Sequence, residues 1–423
     1  MTGSAQEMLD ALDALIRRSE YIAAFDLAQQ GVAAHPDSVA LRHRGVLSLA
    51  RMGATARAAA LFDSWGLHEV SDDEDVLALW ARLKKDEAQA LSGPAQVAAL
   101  EDAAAAYARG FEAGDGGYYP AINVASLSLL AGQVDKAREW AARAQALAMG
   151  EDYWSLSTRA EAALVLNRPE DAASWIARAA AAAPDDHAAR ATSRAQMAQI
   201  IAHLDLDPSL LKPLTAPRVA HFCGHMVTGP GGRMPASEIA RITEAVRTTI
   251  ADDDIGFAVG SLAGGADIII AEEILAAGAE LSVVLPFDQA EFVDVSVRPS
   301  GSDWVARFDA CLAAAHSVHF VTEEAYLGDS GLFAYASHFA LGLARLRAQM
   351  LGAELIQLAV WDGAAPDPEA AAGTAHDLAT GYRMGLAQRL VPSREGAVLD
   401  PRRFAGHVPP DMGNRRQRTM IFG

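Results

Sequence analysis

Residues 260–267 read GSLAGGAD, three glycines and a carboxylate between an apolar run and the helical pattern ADIIIAEEILA. Glycine lets a backbone approach a ligand closely, and the free amides of a helix start attract anions. Gly260, Gly264 and Gly265 therefore permit a tight turn and close approach of a ligand at a helix start, Asp267 can cap the first-turn amides, and Ser261, Gly264, Gly265 and Asp267 are candidate ligand-binding residues. A second group, Gly224, His225 and Met226, ends an apolar run and leads into VTGPGGRMP, where Arg233 is a charge partner for an anion beside Gly229, Gly231 and Gly232. A third, Pro286 and Phe287, closes VVLPF just before Asp288 and Glu291. The fourth pairs Asp362 and Gly363 of VWDG with Gly373 and Thr374, which open the next helical stretch as a second anion or ribose cradle.

Each group has a plainer reading. Glycines commonly serve turns. Asp288 and Glu291 suit helix capping or a surface ion pair better than acid–base work, and at most one of Glu272 and Glu273 can face a site while the other is solvated. His221 and His319 lie in apolar runs and read as buried core, which leaves His225 as the histidine to watch. No HxxxH or Cys/His spacing suggests a metal, and no Gly-x-Ser-x-Gly elbow suggests a serine hydrolase. The glycine spacing is neither that of a Walker loop nor GxGxxG.

The elements that must hold these residues alternate. RVAHFCGHMV, IGFAVGSL, AELSVVLPF, SVHFVTEEA and ELIQLAVWDG read as strands, separated by helical stretches such as ASEIARITEAVRTTIADD and HFALGLARLRAQML. Strands spaced by helices imply a doubly wound, mainly parallel, Rossmann-like α/β domain, with ligands at the strands' carboxyl ends. The first 205 residues instead show only three- and four-residue apolar spacing, an all-helical region. The expected organisation is helical repeats over 1–205, a linker over 206–217 broken by prolines, the α/β domain over 218–396, and a tail over 397–423.

The helical half resembles tetratricopeptide repeats. Helix pairs meet at a Gly or Asn turn, small and large residues alternate as in Ala137 with Trp140 and Ala172 with Trp175, and a unit ends at APDD, residues 183–186. HEVSDDEDVLALWARLKKDEA, residues 68–88, interrupts the register. GGYYPAINVASLSLLAG, with Tyr118, Tyr119 and Asn123, resembles a segment of the TRAFs-binding region, a helical module of certain kinases and bacterial signalling proteins. Its two readings are a packed helix start and a concave-face groove for a partner or ligand.

The α/β half, roughly 216–395, resembles the SLOG superfamily, Rossmann-like domains related to DprA and to the LOG phosphoribohydrolases. GHM, GSLAGGADIIIAE, VVLPF, VWDG and GTA carry the likeness. It implies binding or processing of nucleotide-derived ligands. LOG enzymes have PGGxGTxxE where this chain has Ala371, Ala372, Gly373, Thr374 and Asp377, a departure that weighs against hydrolysis. The final NRRQRTMIFG, residues 414–423, resembles the opening strand of class III adenylate and guanylate cyclase domains, and the whole arrangement the regulatory half of such a cyclase.

Composition bounds these readings. With 423 residues, two domains are expected. A net charge of −19 disfavours nucleic acid, and the densest basic run is Arg415, Arg416 and Arg418. No apolar tract spans a membrane, the N-terminus lacks a signal peptide's pattern, and two cysteines, Cys223 and Cys311, favour a reducing, cytoplasmic setting. The leading expectation is a non-catalytic sensor in cyclic-nucleotide signalling, with a nucleotide-like ligand, no metal, and a protein partner or second copy on the repeats. The alternatives are an N-glycosidic hydrolase or transferase using Asp267, Glu272 or Asp288, and a scaffold with a vestigial pocket.

Overall fold

The computed structural model describes residues 4–400 except Ser19, Ser71, Asp72, Asp115 and Leu327, so the basic run and the cyclase-like segment lie outside the described residues. The chain forms an all-helical region followed by a parallel sheet flanked by helices. It divides into two compact units, one ending at Thr215 and one beginning at Ala216.

The first unit is built from helices α1 (Ala5–Arg17), α2 (Tyr21–Ala34), α3 (Val39–Arg51), α4 (Thr55–Ser64), α5 (Glu74–Gln89), α6 (Gly93–Ala113), α7 (Tyr118–Leu130), α8 (Val134–Leu147), α9 (Tyr153–Val165), α10 (Pro169–Ala182) and α11 (His187–His203). Local signals start several of them. Ser4 and Glu7 form a capping box on α1, and Asp73, Asp152 and Asp186 accept hydrogen bonds from the first-turn amides of α5, α9 and α11. Left-handed residues Gly53, Gly132 and Asn167 turn the chain between α3 and α4, α7 and α8, and α9 and α10. The odd-numbered helices begin 34 or 35 residues apart, except that 44 separate the starts of α5 and α7. The interruption expected at residues 68–88 therefore lies further on. Residues 74–89 form an ordinary helix, and the surplus length goes into the 21-residue α6.

Tight packing in this unit uses small residues. Ala137, Ala141, Ala144, Ala160, Ala172 and Ala179 are almost wholly buried, and every residue of α7 from Pro120 to Leu129 is buried. Polar groups cross the same interior. Glu161 Oε1 accepts hydrogen bonds from Ser126 and Gln196 (3.1 Å for the latter), while Lys85 donates to Gln196 (3.0 Å) and Asn123 (3.4 Å). Burial raises the pKa of Glu161, with Ser126, Gln196 and Lys85 opposing. Such a satisfied network fixes helix register, because any slip leaves buried polar groups unpaired.

The second unit has six parallel strands, β1 (Arg218–Gly224), β2 (Ile255–Gly260), β3 (Glu280–Leu285), β4 (Ser317–Phe320), β5 (Leu355–Trp361) and β6 (Ala387–Pro392), in the order β4-β3-β2-β1-β5-β6. Its helices are α12 (Ile239–Asp252), α13 (Ala266–Ala276), α14 (Gln289–Phe292), α15 (Ser302–Ala314), α16 (Gly331–Leu351) and α17 (Thr374–Arg383). The pleat sorts β1 between two cores. Ala220 and Phe222 join the large cluster with α12, α13 and α15, whereas Cys223 joins Trp361, Ala359, Leu378 and Ala379 of the smaller one.

Two sequence expectations change here. The sequence predicts five strands and the structure has a sixth, AQRLVP, whose apolar pattern Gln388 and Arg389 break; as an edge strand β6 tolerates them, with Arg389 gripping Asp253 by two hydrogen bonds of 2.6 and 2.7 Å. His319 lies on the opposite edge strand, β4, and is only half-buried, 3.0 Å from the Ser317 hydroxyl, rather than a core residue. His221 is core as expected, 2% exposed and 3.2 Å from the Gln357 amide.

Candidate functional site

Strand order reverses at β1, which has β2 on one side and β5 on the other. At such a point the crossover helices leave in opposite directions and open a crevice at the carboxyl ends. His225 follows β1 and Asp362 follows β5, so both stand at this crevice. His225 Nε2 lies 3.1 Å from Asp362 Oδ1, but off the line of a hydrogen bond, and no other partner reaches that buried atom among the described residues. Its Nδ1 lies 3.3 Å from the hydroxyl of Thr374, the first residue of α17. His225, Asp362 and Thr374 are 6%, 8% and 5% exposed.

The charges are set by burial and neighbours. Burial lowers the pKa of His225; Asp362 opposes this, and Arg233 and Arg394 reinforce it, so the imidazole is neutral near pH 7. Burial would raise Asp362, but the Ala364 amide, His225 and Arg233 outweigh it and hold the carboxylate below its ordinary range. Arg233 Nε stands 3.8 Å from Asp362 Oδ2 with more than half its side chain exposed. The loop that carries it is closed on itself, with Thr228 donating its amide to the Met234 carbonyl at 2.8 Å.

Gly264 and Gly265 are placed differently from the ligand approach their spacing suggests. Gly264 donates its amide to the Ser296 carbonyl (2.8 Å), and its own carbonyl accepts from Val227 (3.0 Å) and from the Ser300 hydroxyl (2.5 Å). Gly265 has φ +143° and pairs with Met226; a Cβ there would sit within 3 Å of the backbone of His225, Met226 and Val227. These glycines lock the loop after β1 onto the start of α13, and the Ala266 amide of that helix is taken by the His225 carbonyl. Gly224 packs on Ala266, and Gly260 on Phe222, in the same way. Ser261 is half-buried at the end of β2.

Asp267 stands in the first turn of α13, 7% exposed, with Oδ2 accepting from the Ala263 amide (3.2 Å) and Oδ1 buried without a hydrogen bond among the described residues. Burial raises its pKa well above the usual range, and Asp377 adds to the rise while the Ala263 and Gly224 amides oppose it. Asp377, one turn into α17, is raised to about 7 by burial against the opposing Ser337 hydrogen bond. Both carboxyls push up the buried thiol of Cys223, after burial itself. Beside them, His338, Pro366, Pro368, Ala372, His376 and Asp377 line part of a cavity of about 200 Å³ between α16 and α17.

Other expected residues lie elsewhere. Glu272 forms a two-point ion pair with Arg307 (2.5 and 2.7 Å), whose guanidinium stacks 3.9 Å from the Trp304 ring, so it faces α15 rather than the crevice. Phe287 is fully buried in an aromatic cluster with Tyr326, stacked at 4.5 Å, and Phe292; Pro286 is likewise buried. Asp288 caps α14 and Glu291 accepts from the Tyr326 amide, the capping reading. Gly363, in the left-handed region, packs against Val398. Gly373 opens α17 with φ +138° and open space where a Cβ would be. The structure thus brings together His225, Asp362, Thr374, Gly373 and Arg233, with Asp267 near Asp377 and Cys223. Sequence reasoning missed Ser393 and Arg394 beside the first group, because the strand that delivers them was not seen.

Residues 6–128 match the family Tetratricopeptide Repeats-Sensor. With the helix spacing near the ~34-residue period of such repeats, this makes the first unit an array of tetratricopeptide-like repeats. Stacked repeats offer an extended surface suited to a protein partner or a sensing role. Among solved structures the chain is similar to a thermophilic TPR protein of Thermus thermophilus, at 17% identity and a TM-score of 0.39, over 46% of this chain and 100% of that one. No curated protein matches it. Among the described residues no helix is long and apolar enough to cross a membrane, and no three His, Cys, Asp or Glu side chains gather as a metal site requires.

Proposed function

We propose that the protein is a sensor whose α/β unit binds a nucleotide-derived small molecule at the β1/β5 crevice and whose repeats hold a protein partner. The observation that carries this is His225, a neutral, almost wholly buried imidazole whose Nε2 has no hydrogen bond among the described residues, set beside the start of α17. With only a poorly aligned carboxylate 3.1 Å away, that nitrogen is available to a ligand hydroxyl. Asp362 is a carboxylate suited to ribose hydroxyls, and Arg233 with the α17 amides to an anion.

A thermal-shift screen of the full chain against nucleotides, cyclic nucleotides, nucleosides and ADP-ribose tests the reading. Stabilisation without consumption of the ligand is expected, because binding only the native state raises the melting temperature. No shift with any of them would sink it. The raised carboxyls of Asp267 and Asp377 favour one second reading, an N-glycosidic hydrolase with a protonated acid in place. Free base found by chromatography after incubation would establish that instead.

A further inference from the structure

After β6 the chain turns back across the carboxyl end of the sheet. Ser393 is fully buried; its amide donates to the Trp361 carbonyl (2.9 Å) and its hydroxyl to the Arg233 carbonyl (2.6 Å). Five residues on, Val398 lies against Gly363 so closely that no Cβ would fit. These contacts tie the segment at both ends to residues flanking Asp362, and Arg394 lies between the ties. Its side chain is exposed and forms no ion pair among the described residues, and its charge acts on His225 alongside that of Arg233. Arg233 is itself held only loosely, at 3.8 Å from Asp362. The Ser393 hydrogen bond therefore holds the backbone before Arg394 against that of Arg233, at the loops beside Asp362, and both charges act on the buried imidazole.

We infer that Arg394 is a specificity-determining residue that, with Arg233, reads the charge of the ligand's anionic group and selects a phosphate monoester over a phosphodiester. The inference rests on the nucleotide reading above. A monoester with its second pKa near ~6 carries about −1.5 to −2 at pH 7 and three terminal oxygens, whereas a diester carries a single charge. A guanidinium presents donors in a fixed fork that matches such oxygens, so a second arginine adds most for the ligand with more charge and more acceptors.

The test is calorimetric titration of the full chain with adenosine 5′-monophosphate, adenosine 3′,5′-cyclic monophosphate and adenosine. Arg394→Ala is expected to weaken the monophosphate about tenfold and the cyclic diester less than about threefold, and Arg394→Lys to recover part of the difference. Equal losses for both nucleotides, or none, would overturn the charge-reading role while nucleotide binding stood. If the unaltered protein binds none of the three, this inference falls, while the nucleotide reading is decided by the wider screen above. Because Arg394 is exposed, its removal leaves the fold intact, and the ratio of the two affinities is a readout that a purely structural role would not move.

Discussion

Gly132 in the helical unit and Gly265 in the α/β unit both hold positive φ, at 82° and 143°, yet they do different work. A Cβ on Gly132 would meet open space; one on Gly265 would meet the backbone of three residues after β1. Gly132 obeys a local rule that recurs at Gly53 and Asn167, the turn between paired helices. Gly265 answers to a loop 40 residues earlier, through contacts set by tertiary packing. One unit is assembled from a rule applied again and again, the other from contacts that each occur once.

The sharpest break of that comparison is substitution at the two glycines. Gly265→Ala must both adopt a strained angle and push apart the 225–227 backbone, and is expected to cost more than ~3 kcal/mol, seen as lost hydrogen-exchange protection in β1 and α13. In the helical unit the largest effect belongs to the buried polar network. Glu161→Ala strands Ser126 and Gln196 and should cost ~2–3 kcal/mol, read as faster exchange in α7, α9 and α11, with Glu161→Gln costing less. Stability should also depend on pH through Asp377. Its pKa near 7 in the folded state lies above the unfolded value near ~3.9, so the unfolded chain gives up the proton first and stability falls as pH rises from 4 to 7, then levels. Asp377→Asn should remove that share of the fall, leaving the part that the raised Asp267 carboxyl carries, and raise stability at pH 8 by on the order of 2 kcal/mol, allowing for partial exposure, with little change at pH 4 in paired melts. Gly132→Ala comes last, at ~1 kcal/mol from the angle alone.

What the sequence disclosed follows the same division. Five strands were legible because each is a run of apolar residues ended by turn signals, and the helix pairs because their turns sit at a fixed interval. His225, Asp362 and Thr374 could be placed at the crevice because each adjoins the carboxyl end of a recognised strand or the start of a helix. Arg394 could not, since β6 is an edge strand whose Gln388 and Arg389 hide it. The glycines of GSLAGGAD were visible, but their partners, Ser296, Ser300 and the 225–227 backbone, are set by tertiary packing that no local pattern encodes.

The pairing of β1 with β5 joins Val219 to Leu355 across the intervening β2, β3 and β4. A ribosome adding ~5–20 residues per second delivers β5 on the order of ten seconds after β1. The repeats, whose contacts are mostly between neighbouring helices, can form as they emerge, while the central strand waits with one edge open. For that interval the nascent α/β unit is the part of the chain most exposed to wrong strand pairing and most in need of a chaperone. The crevice itself comes into being only when the late strand closes it.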